Sequence, residues 1–119
     1  MDLMMLAKIA AVMLVLDGIW IYIVAGNAFS SMVQNIQGSA MKIRPGGALV
    51  AYAAMILLFN QFITKESSGW DAFLLGFLSY AIYDGTSYAL FDKWDLKTAI
   101  VDATWGGLLF WLTSRIVFM

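Results

Sequence analysis

Cysteine and histidine are both absent from this chain of 119 residues. The first absence removes disulfides, thiolate metal sites and cysteine nucleophiles, and leaves the redox compartment open. The second removes the commonest transition-metal ligand and the usual general base near neutral pH. Charge is scarce: 13% of residues are charged and the net charge is −1, against ~25% charged in soluble domains. No basic run is present to meet a phosphate backbone, so nucleic acid is not an expected partner. Proline occurs once, at Pro45, where it suits the first turn of a helix.

What abounds is apolar side chain, 62% of the residues, above the ~45–50% of soluble domains. A globule this small has too much surface per volume to hide so much of it. The expected partner is therefore the lipid bilayer, with the protein integral to it and multi-pass. The methionines show no Met-x-x-Met cluster and read as flexible apolar filler.

Four runs approach the ~20 apolar residues that cross a bilayer: residues 4–24, 46–63, 70–91 and 96–118. The apolar run from Leu3 to Ala25 is longer than a signal-peptide core of ~7–15 residues and contains an aspartate, so it reads as a retained span. Short connections, "TKESSGW" and "DKWD", make consecutive runs antiparallel neighbours, with Trp70 and Trp94 at interfacial depth. The connection 26–44 is longer. Phe29, Val33 and Ile36 recur in it at helical spacing, consistent with a short interfacial helix or with an ordinary polar loop. The expected fold is an all-α integral membrane four-helix bundle in a single domain, residues 1–119. Lys8, Lys65 and Arg115 fall at one end of the bundle, and Lys42, Arg44, Lys93 and Lys97 at the other. That imbalance slightly favours the second end as cytoplasmic.

Three aspartates interrupt the apolar runs. At ~1.5 Å per residue, Asp17 and Asp84 lie roughly 10 Å, and Asp102 roughly 9 Å, from the second end of the bundle. Tyr52 reaches the same level. Gly76, Ser79, Tyr80, Tyr83, Asp84, Ser87 and Tyr88 form a helical stripe in the third run. Thr98, Asp102, Trp105 and Gly106 share a face in the fourth, and Asp17 and Trp20 in the first. Intramembrane polar groups face the bundle interior or a wet cavity, so one internal layer is expected. No lysine or arginine stands at its height. Desolvation and mutual repulsion then oppose full ionisation, so at least one acid is expected to be protonated at neutral pH, or a bound cation to supply the missing charge.

The same residues carry a family resemblance. "LDGIW" (Leu16, Asp17, Trp20), "YDGTS" (Tyr83, Asp84, Thr86), the linking Trp94 and Lys97, and "VDATWG" (Val101, Asp102, Trp105, Gly106) resemble the motifs of domain-of-unknown-function family 2177. Ser87 stands where that family usually has asparagine. The resemblance covers essentially the whole chain and implies a small four-helix membrane protein. It brings no activity.

Three functions fit the residues. Asp17, Asp84 and Asp102 can form a proton- or cation-binding site in a channel or transporter, supported by Trp20, Tyr52, Tyr83, Thr86, Ser87, Thr98, Trp105 and Gly106. Four helices enclose little space, so a homo-oligomer, a dimer or higher, is expected, with Ala7 and Ala11 as a small-residue contact surface. Alternatively the acids are protonated and join helices in a structural or accessory protein. An enzyme using Asp84 and Asp102 as an acid–base pair is the third reading; neither the Gly-x-Gly-Asp of intramembrane aspartyl proteases nor the extended Asp-Gly motif of phospholipid-head-group transferases is present. No cofactor is expected, and whether a metal is the cation is left open.

Overall fold

In the computed structural model, which describes residues 2–119, every regular element is a helix. Helix α1 runs continuously over Leu3–Gln37. It begins where the Asp2 carboxylate accepts from the backbone N–H groups of Met4 and Met5, at 3.0 and 3.2 Å, placing negative charge on the positive helix end. It ends at Gly38, whose φ of +75° is a left-handed conformation that glycine adopts without a Cβ clash.

Helix α2, Pro45–Phe62, starts on the chain's one proline, whose missing N–H has no helical partner to lose at that position. Helix α3, Gly69–Leu90, opens with a reciprocal cap. The Ser68 hydroxyl accepts from Asp71 N–H at 3.1 Å, and the Asp71 carboxylate from Ser68 N–H at 3.2 Å. Helix α4, Leu96–Val117, is capped by Asp95, which accepts from the Thr98 backbone N–H and, at 2.6 Å, from its hydroxyl. That hydroxyl is the main reason the exposed Asp95 carboxyl titrates below its ordinary value.

Residues 26–37 are helical, as one of the two readings of the 26–44 connection expects, but the helix is not a separate one. They are the upper part of α1, joined to its lower part through a five-residue π segment, Ile21–Ala25. Their apolar side faces protein: Met32 is buried with Trp94 and Ala99, and Phe29 and Ile36 pack beside them. Trp94 is accordingly buried rather than interfacial, whereas Trp70 is exposed.

Helices α3 and α4 make the closest pair. Gly76 and Gly106 permit the approach. A methyl on Gly76 would overlap the Gly106 carbonyl and lie 2.7 Å from Phe110 Cγ, and one on Gly106 would lie 2.7 Å from Tyr80 Cβ. Bare backbone at such crossings lets two helices meet where larger residues would hold them apart. Helix α4 is central and holds the most buried residues; α2 buries only Phe59 and rests on α1. At one end Ile9, Met13, Phe59, Leu109 and Phe110 form an apolar core. At the other lies the Met32–Trp94–Ala99 cluster. The aspartates fall between the two.

Large apolar side chains cover much of the outside, among them Val15, Ile19, Ile23, Leu49, Val50, Ile82 and Ile100. Water disfavours such a surface and lipid does not. Helices α1 and α2 are long and apolar enough to cross a membrane. Helices α3 and α4 have the length, 22 residues each, but carry the polar stripes.

Candidate functional site

Asp17, Asp84 and Asp102 are all withdrawn from the surface, at 5%, 2% and 7% exposure. They do not merge into one ligand shell. No group of three acidic side chains close enough to hold a metal ion occurs among the described residues. Instead the acids divide into a clamped one and a pair.

Asp17 is the clamped acid. The Tyr52 hydroxyl of α2 donates to its Oδ2, and the Trp105 indole N–H of α4 donates to Oδ1 at 2.9 Å. One carboxyl on α1 thus ties together three helices. Each oxygen receives a donor, the pattern suited to an acceptor-only carboxylate. Trp105 is held in turn by Trp20, whose ring stacks on it at 4.8 Å with 7° between the planes.

Asp84 and Asp102 form the pair. They approach each other across the α3–α4 seam closely enough to interact directly, which the Gly76–Gly106 crossing allows. Both Asp84 oxygens are buried without completing a hydrogen bond, and so is the indole nitrogen of the neighbouring Trp94. The charges acting on Asp102 are those of Asp84 and, less strongly, Asp17; no cation acts on it. Two of the lysines near the ends are occupied elsewhere: Lys8 donates to the Val117 carbonyl at 3.4 Å and Lys93 to the Asn35 carbonyl at 3.2 Å. Unpartnered buried carboxyl oxygens are costly. Two adjacent carboxyls without a counter-charge cannot both ionise cheaply.

Two cavities reach the acids. The larger, about 550 Å³, is lined by Asp17, Trp20, Tyr52, Tyr80, Tyr83 and Asp102 together with apolar side chains. Its wall includes Ile21 and Ala25 of the π segment, and Gly26 just after it, a local widening of the helix that recurs at functional sites. The smaller, about 220 Å³, is apolar apart from Asp84 and lies between α3 and α4, against Phe77, Tyr88, Leu96 and Ile100. Asp102 thus belongs to the lining of the larger space and Asp84 to that of the smaller. Above it, Trp94 is packed by Phe29, Tyr83 and Phe91 with ring centroids 6.0, 5.8 and 6.0 Å away.

The remaining expected site residues scatter. Tyr83 is half exposed at the cavity's edge and meets Trp94 edge-on. Ser87 is buried on the Asp84 side of α3, and Gly106 serves as the contact point for Tyr80. Thr86 points outward and joins no part of the site. Thr98 caps α4 through Asp95 rather than reaching the acids. Both threonines share a sequence motif or face with an aspartate, but a rotation of ~100° per residue carries Thr86 away from Asp84, and the cap captures Thr98. Tyr80 and Trp94 belong to the site though neither stands among the expected residues. Tyr80 lies within electrostatic reach of Asp17, Asp102, Tyr52 and Asp84; the sequence places it on the Asp84 stripe, one turn before that acid, but not among the site residues.

No curated protein and no solved structure matches the chain. A family profile does, over residues 3–119, a range that includes all three aspartates. The chain belongs to the family described as "Predicted membrane protein (DUF2177)".

Proposed function

We propose that this protein spans the bilayer four times and binds a proton or cation at the Asp84–Asp102 pair, as part of a transport or conduction path. The observation that supports this reading most is the pair's position, buried without a cationic partner between two cavities. A group holding one proton between two carboxyls can accept it from one space and release it to the other. Tyr80 and Tyr83 hydroxyls supply neighbouring donors and acceptors. The most polar members of the α3 and α4 stripes, Asp84, Ser87 and Asp102, are buried, and the half-exposed Tyr83 and Tyr88 are amphipathic, so both helices remain able to span the membrane.

Asp17 supports a second reading for itself alone. Its two hydrogen bonds to separate helices make it a structural tie, and its part in transport is to hold the cavity's shape. An accessory protein whose acids all act as ties is less favoured, because the Asp84–Asp102 contact sets acid against acid with no cation to neutralise the pair.

The experiment is proton flux into liposomes loaded with a pH-sensitive dye, under an imposed potential. Flux should occur with the wild-type chain and be lost in Asp84→Asn and in Asp102→Asn, both still folded by circular dichroism. Absence of flux in every condition, or flux unchanged by both substitutions, overturns the reading.

A further inference from the structure

The larger cavity has properties that a proton does not require. At about 550 Å³ it is the size of pockets that hold organic ligands, ~300–1,000 Å³. Aromatic rings from three helices line it, with Met41, Ile43 and Met55 adding apolar wall. No lysine or arginine lines it, and two carboxyl groups do. Ring faces attract positive charge through their quadrupole, and the attraction grows when water is excluded. A bare metal ion is a poor fit, since no group of three acidic ligands comes together among the described residues.

We propose that this cavity binds an organic ammonium cation with apolar substituents, Asp102 serving as counter-ion and Trp20, Tyr52 and Tyr83 as aromatic walls. The inference rests on the cation-binding reading above and names the class of cation. Asp102 rather than Asp17 is the counter-ion because both Asp17 oxygens already accept from Tyr52 and Trp105. The neighbour of Asp102 is Asp84, another buried acid, and no cation acts on either. Charge is therefore missing on the Asp102 side of the cavity. The Trp20 indole N–H is also buried without an acceptor, which suits a ligand carrying an oxygen near its ammonium group. Such an ammonium belongs either to a free amine or to a lipid headgroup.

Isothermal titration of the full chain in non-ionic detergent with benzyltrimethylammonium tests this. Saturable binding is expected, weakened about tenfold or more in Asp102→Asn. Tyr83→Leu keeps apolar bulk at an already exposed position and should weaken binding roughly three- to tenfold; it carries the test if Asp102→Asn fails to fold. Benzenesulfonate should not bind. Competition by a choline lysolipid but not by a glycerol lysolipid assigns the ammonium to a lipid headgroup, and competition by neither assigns it to a free amine. No saturable binding, or equal affinity in wild type and the folded variants, overturns the inference. Proton flux that persists without ammonium binding removes this inference alone, whereas ammonium binding without flux removes the transport reading and leaves a binding site.

Discussion

Replacing Tyr52 with phenylalanine deletes one hydroxyl and leaves the ring that lines the cavity. In the structure that hydroxyl donates to Asp17 Oδ2 while Trp105 donates to Oδ1. Two donors on two oxygens describe a charged acceptor, for which a single hydrogen bond contributes ~1.5–3 kcal/mol. Hydrogen bonds between neutral groups on membrane helices average ~0.6 kcal/mol. The size of the loss therefore reports the charge on Asp17. Tyr52→Phe is expected to cost ~1.5–3 kcal/mol, and a double-mutant cycle with Asp17→Asn should recover most of it as coupling. Reversible unfolding in mixed detergent micelles, followed by tryptophan fluorescence, measures each corner of the cycle. A loss near 0.6 kcal/mol, or coupling near zero, would refute the argument that Asp17 is an ionised tie between α1, α2 and α4.

Three further outcomes follow from the same geometry. Asp84→Asn takes one acid out of the uncompensated Asp84–Asp102 pair while keeping a group that can still bond Asp102, so it should leave the fold as stable, within ~1 kcal/mol, while abolishing flux; marked destabilisation in the same unfolding assay would contradict a pair that lacks a counter-charge. Gly106→Ala places a methyl against Tyr80 at the α3–α4 crossing and should cost ~1–3 kcal/mol and reduce flux by spreading the acid pair; an unchanged unfolding midpoint contradicts that crossing. Ser68→Ala removes one half of the α3 cap and should cost ~1 kcal/mol with flux retained at temperatures below unfolding.

The helices were legible because apolar run length and turn chemistry act locally. Pro45 marks a start that depends on neighbours a few residues away, and the Ser68–Asp71 and Asp95 caps that the structure adds are equally local. The burial of Asp17, Asp84 and Asp102 was legible too, since helical rise alone sets their heights. The partition of the three acids was not. Whether Asp17 meets Asp102 or Tyr52 and Trp105 depends on helix rotation and on the close α3–α4 crossing, which arise from packing across the bundle. The π segment after Trp20 escaped for a related reason: "IYIVA" has no feature that separates one extra residue per turn from ordinary α-helix. Residues 26–37 misled because their amphipathic pattern suits a lipid interface as well as the Trp94 cluster that covers them.

Infrared difference spectroscopy of the protonated carboxyl stretch tests the central claim most directly. In buffer free of organic and metal cations at neutral pH, the wild-type protein should show a protonated carboxylic acid that disappears in Asp84→Asn or Asp102→Asn and persists in Asp17→Asn. A spectrum with every aspartate ionised under those conditions would contradict a buried carboxyl pair that lacks a counter-charge.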